Sequence, residues 1–135
     1  MKFFTYKEFD CPCCGTGSGK KNMNKKFLIF LEELRTRCSF PFVVSSGFRC
    51  KNKQQSLIDN PKYKASSPET SGHCKGLAAD IIITDSKKRA IFIGHTIELT
   101  SHLDLPLRIG ISGKQGFCHI DINEKRLSPR IWTYS

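Results

Sequence analysis

The stretch that decides the fold reads Leu77-Ala78-Ala79-Asp80-Ile81-Ile82-Ile83-Thr84. It is an apolar run that is rich in β-branched residues, and such a run predicts a central strand of a sheet. Its single charged residue, Asp80, lies inside the strand. The sequence therefore brings a carboxylate into the middle of the predicted sheet.

The residues after this strand predict a helix and a hairpin. Asp85 can cap a helix that runs from residue 86 to about residue 102. We expect its inner face to contain Ala90, Ile93, Gly94 and Ile97. Two further strands are predicted at residues 107–111 and 117–122, and the glycine-rich residues 112–116 between them favour a hairpin.

The residues before the central strand predict another helix, a strand and a short helix. The first of these helices begins near Asn22 or Asn24, since either residue can cap it. Its apolar residues recur at three- and four-residue spacing: Phe27, Phe30, Leu31, Leu34 and Cys38. Residues 42–45 predict the strand, and residues 49–58 predict the short helix.

The order of these elements predicts an α+β fold, with helices packed on one face of a mainly antiparallel sheet. Two polar stretches, residues 10–22 and 59–72, predict loops because Gly, Pro and Ser are frequent in them. The chain has 135 residues, and a domain of about 150 residues buries roughly 70% of its unfolded surface. We therefore expect one domain over residues 1–135, with a Cys- and Gly-rich amino-terminal segment at residues 1–22.

The charge of the chain favours anionic partners without choosing among them. The sequence has 22 Lys and Arg against 12 Asp and Glu, a formal charge of +10. Such a field attracts nucleic acid, anionic lipid or the anionic polymers of a bacterial envelope, although it can equally be a solvated surface. The basic residues are scattered rather than gathered into one stripe with interleaved aromatics, which disfavours a nucleic-acid-binding protein.

The sequence also bears on membranes and export. No apolar run approaches the roughly 20 residues that span a bilayer, so we expect no membrane insertion. The first residues, Met1-Lys2-Phe3-Phe4-Thr5-Tyr6-Lys7-Glu8, contain neither an apolar core nor a small-residue cleavage site of a secretory signal. We expect the protein to be synthesised in a cytoplasm.

The central strand and the loop before it carry a candidate metal site. In Ser71-Gly72-His73-Cys74-Lys75-Gly76-Leu77-Ala78-Ala79-Asp80, a His and an Asp are seven residues apart. His119 lies in another predicted strand, and alternation along that strand turns Asp121 toward the same face. Two imidazoles and one carboxylate suit zinc, and three protein ligands leave the fourth tetrahedral position for water. On spacing alone, ordinary surface or core histidines explain the pattern as well.

Three motifs resemble one family. Ser71-x-His73-x-x-Gly76-x-Ala78-x-Asp80 fills every position of the S-x-H-x-x-G-x-A-x-D signature of the D-alanyl-D-alanine carboxypeptidase family of zinc peptidases. That family includes phage murein endopeptidases and shares its core with the hedgehog signalling domain. Ser46-Gly47-Phe48-Arg49 is similar to its S-G-[YF]-R element, and Phe117-Cys118-His119-Ile120-Asp121 resembles its F-x-H-x-D strand. The three motifs stand in the family's order and span about residues 40–125.

The resemblance implies a role for each matched residue. His73, Asp80 and His119 would bind zinc. Arg49 would contact the scissile carbonyl or a substrate carboxylate, because a guanidinium is permanently charged and donates two parallel hydrogen bonds. Ser71 would orient the site or the substrate, and Gly76 and Ala78 would keep side-chain bulk away from the metal, unless they are only packing choices.

The chain departs from the family at the general base. Many members place Glu or Asp three residues before the last His, where this chain has Gly116. We expect Asp121 to act as the base, or as a support that holds an imidazole in the right tautomer. The weaker candidates are Glu69, Glu124 and His102.

The seven cysteines give two further hypotheses. Cys11, Cys13 and Cys14 can form a second, structural zinc site if Cys38 or Cys50 completes it, but no second paired motif follows, and buried thiols that pack the loop are the favoured interpretation. A nucleophilic Cys–His pair is disfavoured because alternation turns Cys118 away from His119.

The resemblance implies a peptidase that cleaves peptidoglycan stem peptides, either an L-alanyl-D-glutamate endopeptidase or a D,D-carboxypeptidase. We expect a monomer that reaches the bacterial cell wall after release by a separate lysis factor, as a phage endolysin does, and whose charge favours docking to anionic wall polymers. The alternative is a non-catalytic, zinc-containing binding module with the same fold. A basic, Cys-rich nucleic-acid-binding protein would leave the three motifs unexplained.

Overall fold

The computed structural model describes residues 1–134. Its helices are α1 (Ser18–Asn22), α2 (Lys25–Cys38), α3 (Lys51–Ile58) and α4 (Ser86–Leu103), with a short 3-10 helix before them at Tyr6–Phe9. Its strands are β1 (Val44–Ser46), β2 (Ala78–Ile82), β3 (Arg108–Ser112), β4 (Phe117–Asp121) and β5 (Arg130–Thr133).

The strands form one mixed sheet in the order β1-β2-β4-β3-β5 among residues 1–134. Every pair is antiparallel except β3 with β5, which is parallel. The predicted α+β class with a mainly antiparallel sheet is therefore confirmed. The register places Asp80 of β2 directly opposite His119 of β4, and Gly110 of β3 opposite the same histidine.

The two faces of the sheet have different partners. Ala79 and Ile81 of β2 and Cys118 and Ile120 of β4 are fully buried in one apolar cluster with residues of α2 and α4. Because side chains alternate along a strand, Asp80 and His119 lie on the opposite face. The sheet thus separates a helix-packed core from a polar face that carries the candidate site.

The predicted inner face of α4 is wrong. Ala90, Gly94 and Ile97 are exposed and Ile93 is half-buried. The buried residues are instead Phe92, Thr96, Leu99 and Thr100. The two threonines can be buried because the Thr96 hydroxyl donates to the Phe92 carbonyl at 2.7 Å and the Thr100 hydroxyl donates to the Thr96 carbonyl at 2.8 Å.

The amino-terminal loop is only partly a loop. Residues 10–22 were expected to lack regular structure, but their second part forms α1, which begins after Gly17. Of the two candidate caps for α2, Asn24 has the role, because its side-chain oxygen accepts from the Phe27 N–H at 3.1 Å. Asp85 caps α4 as predicted, through the Lys88 N–H at 3.0 Å.

Strand β5 is a further element that the sequence did not predict. It has four residues, most of them exposed, and it is held at the sheet edge by parallel pairing with β3. Within residues 1–134, no helix has both the length and the apolar character needed to cross a membrane.

Candidate metal centre

Three ligand-type side chains meet at one point on the polar face of the sheet. His73 lies in the loop before β2, Asp80 in the middle of β2, and His119 in the middle of β4. His73 Nε2 is 3.2 Å from Asp80 Oδ1 and 3.2 Å from His119 Nδ1, and His119 Nδ1 is 2.9 Å from Asp80 Oδ1. All three residues are buried. The three residues that the sequence singled out are therefore brought together.

The spacing of these three atoms fits a zinc ion. Ligand atoms about 2.0–2.2 Å from a tetrahedral zinc ion are roughly 3.3–3.6 Å from one another. The observed separations of 2.9–3.2 Å are slightly shorter. An outward movement of a few tenths of an ångström would admit the ion without a change in the backbone.

Each imidazole is held in the tautomer that a metal requires. His73 Nδ1 donates to the Gly47 carbonyl at 2.7 Å, because a carbonyl oxygen can only accept. His119 Nε2 donates to Asp121 Oδ2 at 2.7 Å. Both remaining ring nitrogens therefore turn toward Asp80, so three atoms of the kind that bind metals face one point.

The electrostatics of this point favour positive charge. Burial raises the pKa of Asp80, but the interactions with His73 and His119 outweigh burial and hold that pKa well below its usual range. Burial lowers the pKa of His119, yet its hydrogen bonds to Asp121 and Asp80 reverse the effect and raise the pKa to about 9. For His73 burial prevails and the pKa is lowered. A charged carboxylate thus faces two imidazoles, a donor set suited to a divalent cation.

Arg49 orients the carboxylate of the centre. Its Nη2 donates to Asp80 Oδ2 at 2.9 Å, which leaves Oδ1 turned toward the histidines. Its Nε donates to Ser46 Oγ at 2.8 Å and its Nη1 to Gln54 Oε1 at 3.2 Å. A guanidinium has five N–H donors, so these three bonds leave two for a bound molecule. Gln54, which the sequence analysis missed, is buried and fixes the guanidinium.

The place where His73, Asp80 and His119 converge is called the metal point below. Asp121 lies behind His119 rather than beside this metal point. Its Oδ2 accepts from His119 Nε2, and its Oδ1 accepts from Arg108 Nε at 2.8 Å and from the Asn123 N–H at 3.0 Å. Burial raises the pKa of Asp121, but its interactions with His119 and Arg108 outweigh burial and lower it. The geometry therefore fits a support for His119 better than a base that contacts water.

Arg108 and Trp132 are further residues that the sequence analysis missed. Arg108 is buried, and its guanidinium carbon is 5.0 Å from the Trp132 ring centroid. That indole lies against the His119 ring, with centroids 5.6 Å apart. The signal for Arg108 was its pairing with Asp121 across β3 and β4, which becomes visible only when the register is known.

The metal point lies in an open cleft with a mainly basic lining. The cleft has a volume of about 560 Å³. Its lining includes the metal-point residues, Arg49 and Tyr134, together with Glu8, Asp10, Lys53, Lys62, Lys64 and Lys114. Burial, followed by the charge of Asp80, raises the pKa of Tyr134, so its hydroxyl keeps its proton.

The other candidates lie elsewhere. Ser71 is buried and lies near the Cys74 thiol, and it is not among the described residues that line the cleft. Glu69, Glu124 and His102 are exposed, and none of them lines the cleft within the described chain.

Two further expectations have clear outcomes. Gly76 does not keep bulk from the metal point: its φ is +69°, and a side chain there would collide with the Asn22 carbonyl.

Cys118 lies on the core face, as alternation predicted, and burial raises its pKa to about 11, which disfavours a nucleophilic thiolate.

The amino-terminal cysteines do not all pack as buried thiols. Cys11 is buried, but Cys13 and Cys14 are exposed. Cys50 approaches Cys11 and Cys14, whereas Cys38 is buried in the core on α2. Of the two residues that could complete this cluster, the structure selects Cys50.

Two imidazoles, a carboxylate and a guanidinium, held by the sheet and its adjoining loops in an open cleft, form a kind of site found in hydrolytic metalloenzymes. The family model described as peptidase M15 matches residues 2–121, and the chain belongs to this family. No curated protein matches the chain. Membership confirms the coarser part of what the three motifs indicated, a peptidase of family M15.

Proposed function

We propose that this protein is a zinc-dependent peptidase that hydrolyses peptidoglycan stem peptides, with His73, Asp80 and His119 as the zinc ligands. The observation that carries the proposal is the convergence of two imidazole nitrogens and one carboxylate oxygen within 3.2 Å of one another inside an open cleft. Family membership supports peptidase chemistry. Three protein ligands leave one coordination position open, as catalysis requires.

The ion, when bound, supplies a Lewis acid that polarises the scissile carbonyl and lowers the pKa of the attacking water. The chain supplies the rest. Arg49 holds Asp80 in place and has two N–H groups left for a substrate carbonyl or carboxylate. Tyr134 keeps its proton and lies in the same cleft, so its hydroxyl can donate to the oxygen on which charge develops.

In this proposal Asp121 is a positioning residue. Both of its oxygens are engaged, and His119 stands between it and the metal point. A carboxylate that holds a ligand histidine fixes the ring and strengthens its basicity. Position 116, where many relatives carry the base, is a glycine at the hairpin with φ +72°.

The charge of the cleft supports an anionic peptide substrate. Lys53, Lys62, Lys64 and Lys114 line it with Arg49, against the carboxylates of Glu8, Asp10 and Asp80. Stem peptides of peptidoglycan carry free carboxylates, and a basic cleft raises the local concentration of such substrates. Both an L-alanyl-D-glutamate endopeptidase and a D,D-carboxypeptidase fit this description. The formal charge of +10 also fits docking of an endolysin-like monomer to anionic wall polymers.

The second candidate is a zinc-containing binding module without catalysis. The full engagement of Asp121 and the glycine at position 116 favour it, since together they leave the metal point without an adjacent free carboxylate among residues 1–134. Such a module would bind stem peptides in the same cleft and release no product.

Mass spectrometry of purified peptidoglycan incubated with the zinc-loaded protein tests the proposal. We expect released fragments with new amino termini, or released terminal residues, and loss of both with a chelator. His73→Ala should abolish release, whereas His95→Ala, in a helix away from the cleft, should not. Stem-peptide binding without any product would favour the binding module. Undiminished release by His73→Ala would exclude the metal centre.

A further inference from the structure

A second group of ligand-type side chains lies at the amino-terminal segment, outside the centre described above. The sulfur atoms of Cys11, Cys14 and Cys50 all lie within 4.8 Å of one another. Cys13 is an exposed thiol in the same turn as Cys14, and it interacts electrostatically with Cys50. Three cysteine sulfur atoms from two distant parts of the chain therefore meet at one place, Cys13 is next to Cys14 in sequence, and all four are free thiols.

The backbone around Cys11 and Cys50 favours thiolates. The Cys50 N–H donates to Cys11 Sγ at 3.4 Å, and the Lys53 N–H donates to Cys50 Sγ at 3.4 Å. Cys50 is the N-cap residue of α3, so its sulfur lies at the positive end of that helix. Backbone N–H groups that point at sulfur stabilise the charged form that binds metals.

We propose that Cys11, Cys13, Cys14 and Cys50 bind a second, structural zinc ion. Soft thiolate ligands in a set of four select zinc, and four protein ligands close the coordination sphere. Sulfur atoms about 2.3 Å from a tetrahedral zinc ion are roughly 3.8 Å apart. In this proposal the exposed side chains of Cys13 and Cys14 move on zinc binding, so that all four sulfur atoms reach that separation.

The proposed cysteine site lies next to Arg49 in the chain and connects that residue to the amino-terminal segment. Cys50 directly follows Arg49, whose guanidinium orients Asp80. The segment before Cys11 is bonded to the residues that follow β1, because the Phe9 carbonyl accepts from the Phe48 N–H at 2.9 Å. An ion between Cys11 and Cys50 would tie the amino-terminal segment to Arg49. The site thus stabilises the arrangement around the metal centre without contacting substrate.

Zinc content per chain, measured on reduced protein with matched variants, tests the proposal. We expect about two zinc ions per wild-type chain and about one in either His73→Ala or Cys14→Ser, because each variant removes one site. Cys38→Ala, which changes a buried thiol outside the cluster, should keep about two. In the wild-type protein, a mercurial thiol reagent should release one zinc ion rapidly, and the released ion can be read with a colorimetric chelator.

The outcomes separate the two sites. One zinc ion retained by His73→Ala, together with a fall of one ion relative to wild type in Cys14→Ser or Cys50→Ser, supports the cysteine site whatever happens at the metal centre. Cobalt bound to His73→Ala should show thiolate-to-metal charge-transfer absorption, and Cys50→Ser should abolish it. A reduced wild-type protein whose zinc is all lost with His73→Ala overturns the proposal, as does a disulfide within the cluster that persists under reducing conditions.

Discussion

At the scale of single residues, the side chains behind His119 form a buried chain of charged hydrogen bonds. His119 donates to Asp121, which accepts from Arg108, and Trp132 covers both His119 and Arg108. Arg108 also donates to the Leu127 carbonyl. Removing one partner of such a buried pair leaves an uncompensated charge, which costs more than the pair contributes.

Replacing Arg108 with methionine should therefore destabilise the protein. The free energy of unfolding in urea should fall by about 3–5 kcal/mol, since Asp121 would remain buried without its cation. Arg130→Met is the control, because Arg130 is exposed and contacts Trp132 from β5. The control should change the free energy of unfolding by less than about 1 kcal/mol. Equal effects of the two variants would contradict this account of Arg108.

Asp121→Asn separates the supporting role from the base role. If Asp121 supports His119, zinc affinity should fall by about 10–100-fold, and saturating zinc should restore most of the turnover. Zinc affinity measured by competition with a chelator, together with turnover at several zinc concentrations, checks this. Unchanged zinc affinity with lost turnover would assign Asp121 the base role instead.

Tyr134→Phe tests the proposed hydrogen bond to the developing charge. Loss of one such donor lowers turnover by about 10²-fold or more, with little change in substrate binding. Zinc content should stay the same, since the variant retains all three proposed ligands, His73, Asp80 and His119. Unchanged turnover on peptidoglycan fragments would remove Tyr134 from the mechanism.

At the scale of elements, the close approach of β3 and β5 positions the indole over the centre. A Cβ atom on Gly110 would lie 2.7 Å from Trp132 Nε1 and Cε2, closer than real Cβ contacts allow. Gly110 also stands opposite His119 in the register. The glycine therefore leaves the space in which the indole packs on His119.

Gly110→Ala should displace this indole. We expect a loss of about 1–3 kcal/mol of stability from overpacking, and a shift in fluorescence that comes from one side chain, because the chain has a single Trp. Gly94→Ala is the matched control: Gly94 lies in α4 and a Cβ there would meet nothing within 4 Å. The control should stabilise the helix by up to about 1 kcal/mol and leave the fluorescence unchanged. An unshifted spectrum in Gly110→Ala would contradict the packing described.

Local patterns were enough to predict β2 and β4, because these strands follow from apolar and β-branched runs. The meeting of His73, Asp80 and His119 was predicted only through the resemblance of three motifs to one family. Local patterns were not enough for β5, whose mostly exposed residues are ordered by pairing with β3. The buried face of α4 was also mispredicted, since Thr96 and Thr100 are buried through bonds to their own helix. Contacts such as Arg108 with Asp121 depend on tertiary register and left no mark in the local sequence.

At the scale of the whole molecule, zinc binding should couple to folding. Ligands that bind only the folded state stabilise it, by about 2.7 kcal/mol when the free ligand is at 100 times its dissociation constant. The melting temperature should therefore rise with zinc concentration, and the rise should be smaller in His73→Ala than in His95→Ala. A melting temperature that does not respond to zinc would contradict this coupling.

The measurement that tests the central claim most directly is anomalous X-ray scattering from a zinc-soaked crystal, recorded on both sides of the zinc absorption edge. The account predicts an anomalous peak about 2.0–2.2 Å from His73 Nε2, Asp80 Oδ1 and His119 Nδ1, with a solvent molecule in the fourth position. Absence of a peak between these atoms, or a fourth protein atom that closes the coordination sphere, would contradict it.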